Sequence, residues 1–446
     1  MQVSLQINAR WIIPVDPENS VLEYHAVIIQ DDKIIDILPQ DKSEKYLADE
    51  LIVLNDHALM PGFINAHTHA SMSLLKGLAD DLPLEEWLHE HIWPAETALV
   101  DEQFVHDGSQ LAIAEMIRSG TTCFNDMYFF IDQTALAAIQ AGIRACIGIP
   151  IIDFPTRWAK DLEEYIDKGL VVLDRFKNEE LISFSFAPHA PYTVCDASLK
   201  RIQPLMDELS LPMHIHLHET RKEVEQSIAQ HGITPLARLK GLNLLGPELI
   251  SVHMTELSDV DIQQLAEYGV HVVHCPESNL KLASGFCPVS ALLDAGVNVA
   301  LGTDGSASNN DIDMLGELRT AALLAKGVAE KADALPAYQV IRMATINGAK
   351  ALGLDHKIGS LEIGKQADIL AIDLNTIEIQ PVYDVISSIV YSANRSQITD
   401  LWVAGKALMK NRKLTSLDEE RLLSKAQQWH EKINPFHHQS FENGVK

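Results

Sequence analysis

Short β-rich apolar runs recur through the middle of the chain, each followed by a segment whose apolar residues fall three and four apart. Eight runs can be read: 59–70, 121–127, 143–152, 181–190, 211–219, 248–256, 270–278 and 297–305. Between the first two, residues 101–120 predict an amphipathic helix, with Asp101 placed to cap its start and Gly120 to stop it. Residues 258–269 repeat that grammar, with Ser258 and Asp259 at the start and Gly269 at the end. Strands alternating with helices imply parallel pairing, because each crossover returns the chain to the same end of the sheet. Eight such units predict a closed (β/α)₈ barrel of the TIM type, with a doubly wound open sheet as the alternative.

The two ends differ. In AVIIQDDKIIDILP a polar turn from Gln30 to Lys33 separates two short strands, and residues 358–415 are again β-rich and turn-punctuated. Each arm is too short to hold a core alone. Residues 1–58 and 358–446 are therefore expected to form one composite β-sandwich domain beside a barrel at 59–357, with the chain from 418 starting helically and ending in a polar tail.

Composition narrows the class of protein. The 47% hydrophobic and 22% charged content excludes wholesale disorder. Lys and Arg number 35 against 62 Asp and Glu, a net −27, which disfavours binding to nucleic acid. No run of about 18 apolar residues occurs, so no membrane partner is expected. The first residues lack a basic region, apolar stretch and cleavage site, and the five cysteines show no C-x-x-C; a cytoplasmic location is expected.

Histidine placement carries the chemistry. His67 and His69 end the first predicted barrel strand, His189 the fourth and His253 the sixth; His214, His216 and His218 alternate along the fifth, and Asp304 ends the eighth. Carboxyl ends of barrel strands meet in one mouth, and residues two apart on a strand share a face. Burying that many polar groups without partners would cost several kcal/mol each. A divalent cation with nitrogen and oxygen ligands would draw them together, and three histidines with a carboxylate suit zinc, iron or manganese. His57, His106, His231 and His356 read as ordinary surface or hydrogen-bonded histidines. The H-E-x-x-H, P-C-x-x-C, G-x-S-x-G, Walker and G-x-G-x-x-G signatures are all missing, so triphosphate and serine-hydrolase chemistry lose their usual support.

Several motifs resemble the amidohydrolase superfamily: PGFINAHTH (61–69), HLHET (216–220), the His253 strand end, LGTDGSASNN (301–310), IGSLEIGKQAD (358–368) and VAGK (403–406). SLLKGLADDLPLEEWL (73–88), IWPAE (92–96), SFAPHAPY (185–192) and PESNLKLASG (276–285) are similar to its branch that deaminates 5′-methylthioadenosine and S-adenosylhomocysteine. The resemblance implies that His67, His69, His216 and Asp304 bind one zinc per subunit, with Fe²⁺ or Mn²⁺ as other ions the ligands suit. It implies Glu219 as proton shuttle to ring N1, Asp304 as ligand and proton acceptor, and His253 as the group orienting water. Glu96 would contact the ribose hydroxyls and His189 the nucleoside, while Arg157 lies where some relatives add a substrate arginine, in a context that does not match securely. No lysine ends the fourth strand to bridge a second metal. A homo-oligomer is the superfamily habit.

Lesser features follow. Trp87 and Trp93 could wall a purine or thioether, with ordinary packing as the other reading; Met72 reads as core, Asn309 and Asn310 as turn residues, Cys275 and Cys287 as structural. The expected function is zinc-dependent deamination of adenine nucleosides to inosyl products and ammonia. A triazine, guanine or other aminated heterocycle is the enzymatic alternative, and a metal-free binding scaffold the alternative from another class.

Overall fold

The computed structural model describes residues 1–443. Four strands open the chain: β1 (Gln2–Ile12), β2 (Leu22–Gln30), β3 (Lys33–Pro39) and β4 (Leu47–Pro61). The barrel follows with β5 (Phe63–Thr68), β6 (Thr121–Met127), β7 (Arg144–Ile151), β8 (Ile182–Pro188), β9 (Met213–Leu217), β10 (Leu249–His253), β11 (His271–His274) and β12 (Asn298–Leu301). After it come β13 (Ile369–Asp373), β14 (Ile398–Val403), β15 (Lys406–Lys410) and β16 (Lys413–Leu414).

Strands β5 to β12 pair in parallel in chain order, one for each of the eight predicted runs. Helices cover the outer face, so these strands are buried along nearly all their length and read as dense apolar runs. On β9, Met213, Ile215 and Leu217 join the apolar cluster, while His214 and His216 alternate to the other face. The ends of the barrel are clasped at β12 and β5. Asp304 N–H donates to the His67 carbonyl at 3.0 Å, Asn65 Nδ2 donates to Thr303 Oγ1 at 2.8 Å, and Thr303 N–H donates to Asn65 Oδ1 at 3.0 Å. Gly302 permits that approach, because a Cβ there would stand 2.8 Å from the His67 backbone nitrogen.

The helix expected at 101–120 runs Glu102–Arg118, with the Asp101 carboxylate accepting from Phe104 N–H at 2.8 Å. The one expected at 258–269 runs Asp259–Tyr268, with a capping box between Ser258 and Asp261 and a left-handed Gly269.

Both arms enter one hydrogen-bonded sheet, ordered β16-β15-β14-β13-β4-β1-β2-β3. Side chains from β1, β2, β4, β13 and β14 meet in one apolar cluster that includes Ile7, Val27, Leu59, Ile369 and Trp402. The run at 59–70 divides: Leu59, Met60 and Pro61 pair with β13, and the barrel begins at Phe63. The terminal helix Glu419–Asn443 is longer than the sequence suggested, and the last three residues of the expected polar tail lie outside the described residues. Its Trp429 indole donates to Asp107 at 3.1 Å, and Trp429 and Ile433 share a cluster with Met72, Trp87, Phe104 and Tyr128. Residues 84–99, to which no element was assigned from sequence, form three short helical segments: Leu84–Glu86, a π-helical turn at Trp87–Ile92, and Trp93–Leu99.

Candidate active site

The carboxyl ends of the barrel strands open into a cavity of about 540 Å³ lined by His69, Trp87, Trp93, Glu96, His189, His216, Glu219, His253 and Asp304, among others. At its floor His216 Nε2 lies 3.2 Å from His67 Nε2 and 3.3 Å from His69 Nε2. Asp304 Oδ1 lies 3.3 Å from each of those same two His67 and His69 nitrogens. Four donors held roughly 2.0–2.1 Å from one tetrahedral ion would sit roughly 3.3–3.4 Å apart, so these separations suit such an ion.

The remaining ring nitrogens support that fit. His69 Nδ1 faces the Met127 carbonyl at 2.5 Å and His216 Nδ1 the His189 carbonyl at 2.6 Å. A carbonyl accepts only, so each Nδ1 carries the proton and each Nε2 offers its lone pair to the centre. His67 Nδ1 instead meets His214 Nε2 at 2.9 Å. Burial pushes His67 and His216 below the ordinary imidazole range, keeping them neutral. Burial opposes ionisation of Asp304, yet His67 and His69 hold its carboxyl well below the usual range.

Two groups stand over this floor. Glu219 is buried, with Oε2 3.8 Å from His253 Nε2 and Oε1 accepting from Ser284 Oγ at 3.4 Å. Burial, together with the carboxylates of Asp304 and Glu223, raises its pKa well above the ordinary value. The Glu223 carboxylate accepts from the Glu219 and His218 backbone N–H groups at 2.7 and 2.9 Å, and Thr255 Oγ1 donates to the Glu219 carbonyl at 2.7 Å. His253 Nδ1 lies 3.1 Å from Asn279 Nδ2. With that amide donating, the hydrogen-bond network puts the His253 ring proton on Nε2, towards Glu219. Burial lowers His253 to about 3.

At the cavity wall, Glu96 is carried by the helix Trp93–Leu99 and accepts from the Tyr128 hydroxyl at 2.5 Å. Burial raises its pKa to about 7, against the lowering by Tyr128 and His69. His189 Nδ1 contacts Thr193 Oγ1 at 2.9 Å, and burial lowers His189 to about 3.

The structure therefore brings His67, His69, His189, His216, Glu219, His253, Asp304, Glu96 and Trp87 to one cavity or its floor. His218 is different. It lies past the end of β9 with φ 52°, which breaks the alternation expected from the sequence; its Nδ1 faces the Glu256 carbonyl at 2.6 Å and its Nε2 accepts from Leu236 N–H at 3.0 Å. His253 and Asp304 also have left-handed backbones, at φ 77° and 63°. Such strain in non-glycine residues clusters at functional sites. Arg157 lines the cavity, but its Nη1 donates to the Ala98 carbonyl at 2.7 Å, near the end of the helix that carries Glu96.

Sequence reasoning missed Tyr128, which follows a predicted strand end but looks like any core aromatic. It also passed over Ser278, which donates to Asp304 Oδ2 at 2.6 Å, and Asn279 and Ser284, although all three lie in the PESNLKLASG motif. Met72 is buried in the cluster below the mouth. Asn310 adopts a left-handed turn, and Asn309 Nδ2 donates to the Thr303 carbonyl at 2.8 Å and to Glu317. Cys275 and Cys287 are buried free thiols whose pKa values burial raises. Among the described residues no helix is long and apolar enough to cross a membrane.

A model of the amidohydrolase family matches residues 58–408. The chain is 53% identical over 430 residues to a 5-methylthioadenosine/S-adenosylhomocysteine deaminase of Saccharophagus degradans, covering 96% of each chain. It is 41% identical over 429 residues to a 5′-deoxyadenosine deaminase of Methanosarcina mazei, covering 96% of this chain and 98% of that one. The crystal structure of an adenosine deaminase from Xanthomonas campestris with bound zinc matches with a TM-score of 0.96 and 50% identity, over 97% of this chain and 99% of that one. The chain belongs to the amidohydrolase family.

Proposed function

We propose that this protein is a zinc-dependent deaminase of adenine nucleosides, acting on 5′-methylthioadenosine, S-adenosylhomocysteine or adenosine to give the inosyl product and ammonia. The observation that carries this reading is the meeting, in one cavity, of a four-donor centre, a buried glutamate whose pKa burial raises and a second buried glutamate at the wall. The names and the zinc of the close relatives support the substrate class and the metal.

In this reading His67, His69, His216 and Asp304 hold one zinc per subunit. When bound, that cation supplies Lewis acidity that makes water nucleophilic near neutral pH. Asp304 accepts the proton released as water adds to C6 of the adenine ring. Glu219, kept protonated by its burial and by neighbouring carboxylates, donates to N1, so the ring gains no net charge as the new C–O bond forms. The proton held by Asp304 then passes to the departing amino group, the C6–N bond breaks and ammonia leaves, and Glu219 takes back the proton of the new hydroxyl as the C6 carbonyl forms. His253, fixed by Asn279, directs its Nε2–H at the developing negative charge. Glu96 accepts from the ribose hydroxyls, His189 contacts the nucleoside, and Trp87 and Trp93 bracket the base or the 5′ substituent. The barrel from Phe63 onward to residue 357 forms the catalytic unit, with the two arms, which take in Leu59 to Pro61, as its companion domain.

The test is a panel of adenosine, 5′-methylthioadenosine, S-adenosylhomocysteine, guanine and an aminated triazine, followed by ammonia release with zinc-loaded protein. Glu219→Gln is run beside it. Deamination of the adenine nucleosides is expected, with a loss of ~10²–10⁴ in the variant and an unchanged zinc content. Turnover of guanine or the triazine alone would overturn the substrate class, and full activity in the variant would remove Glu219 from the mechanism.

A further inference from the structure

We propose that Tyr128 is the positioning residue for sugar selection: its hydroxyl pins one oxygen of Glu96 so that the other is aimed at the ribose hydroxyls, which makes the enzyme select ribonucleosides over deoxyribonucleosides. This rests on the reading of the cavity as a site for adenine nucleosides.

The two residues come from different crossovers of the barrel. Glu96 belongs to the helix Trp93–Leu99, between β5 and β6, and Tyr128 is the first residue past β6. Their contact, 2.5 Å between the Tyr128 hydroxyl and Glu96 Oε1, is the one hydrogen bond to that carboxylate among the described residues. A glutamate has three side-chain torsions and two equivalent oxygens. With no other hydrogen bond to the carboxylate among the described residues, the phenol decides which oxygen is engaged and which remains free.

The phenol is itself packed on several sides. Tyr128 is only 5% exposed, lies in the cluster with Trp87, Ala95 and Phe104, and its ring contacts Phe129 at 5.3 Å. Glu96 and Tyr128 both line the cavity that holds Glu219 and Asp304. A bound ribose would give the free Glu96 oxygen the hydroxyl donors it lacks. A deoxyribose would leave that buried acceptor short of a partner, and sites built to bond a hydroxyl reject analogues without it.

Tyr128→Phe keeps the ring and removes only the donor. Wild type and variant are compared on adenosine, 2′-deoxyadenosine and 3′-deoxyadenosine, with kcat and KM measured for each. Wild type is expected to prefer adenosine over a deoxy analogue by roughly tenfold or more. In Tyr128→Phe that preference should shrink to about threefold or less, mostly through a higher KM for adenosine, while the deoxy substrates change little. An unchanged urea midpoint shows that packing is intact. Equal losses on all three substrates would reduce Tyr128 to a structural role and overturn the proposal while the deaminase reading stands. Wild-type turnover indifferent to the sugar would remove the ribose contact, and the proposal with it, again leaving deamination in place. A wild type that deaminates none of the three would overturn the underlying reading and this proposal together.

Discussion

Replacing Glu96 with glutamine removes a charge at a site where burial has already moved that charge's titration into the working pH range. The Glu96 carboxyl is raised from 4.5 to about 7 by burial, with the Tyr128 phenol and His69 pulling the other way. An acid with a raised pKa keeps its proton to higher pH, so the anionic acceptor is scarce below 7 and plentiful above it. With a midpoint of about 7, roughly a tenth of Glu96 is ionised at pH 6 and roughly nine tenths at pH 8, a roughly ninefold change in the anionic form proposed to accept from the ribose hydroxyls. Hydrogen bonds to a charged group contribute ~1.5–3 kcal/mol, so glutamine should lower kcat/KM by ~10–100-fold at pH 8. At pH 6 the gap should narrow by up to roughly tenfold, because wild type has then lost most of its own carboxylate. A cation at the floor adds positive charge near His69 and moves the midpoint lower, which shifts the window without changing the sign. The assay is the loss of adenine absorbance under kcat/KM conditions from pH 5.5 to 8.5, reported as the ratio of wild type to variant. That ratio cancels every other titration the two proteins share. A ratio that stays flat across the range would show that Glu96 does not bind as an anion, and the argument from its burial would fail.

Two further perturbations probe the frame. Removing bound metal with a chelator should lower Tm by a few degrees and zinc should restore it, since free ion at a hundredfold excess over Kd stabilises by ~2.7 kcal/mol; His216→Ala should abolish the response, and a wild type indifferent to zinc would refute the four-donor centre. Gly108→Ala would put a Cβ 2.4 Å from the Ser71 carbonyl oxygen and 2.9 Å from its Cα, both backbone atoms, so a cost of at least ~1–3 kcal/mol should appear as a lower urea midpoint. An unchanged midpoint would mean that this helix does not bear tightly on the segment following His69.

The barrel was legible because its strands are buried on both faces and its helices carry side-chain caps and left-handed glycines, all local signals. His67, His69, His216 and Asp304 were legible because strand ends converge by topology alone. What decides whether such residues can act is not local. His218 obeys the strand alternation in sequence but turns away through a positive φ, which no residue pattern announces. Arg157 sits at the expected point of the chain, yet bonds the carbonyl of Ala98, 59 residues distant in the helix that carries Glu96. Tyr128, Ser278 and Asn279 matter through single bonds to partners 32, 26 and 26 residues distant, and a lone tyrosine or serine carries no mark of such a bond.

The donor centre also spans the seam where the barrel closes, which links stability to chemistry. His67 and His69 lie on or just past β5, and Asp304 follows β12, so these three donors come from the first and last strands. The same seam is held by the Asn65–Thr303 pair and by Asp304 N–H on the His67 carbonyl. Residues 238 apart in sequence must therefore be in register before the donors can reach ~3.3 Å from one another. Linkage makes the dependence mutual: a clasp that preforms the centre raises its affinity for an ion, and an ion held there resists opening of the seam by the same free energy. His216 attaches this seam to the opposite side of the barrel through β9, and its Nδ1 bond to the His189 carbonyl carries the constraint on to the cavity wall. The fold that closes the barrel is thus the same set of contacts that sets the spacing of the reactive groups.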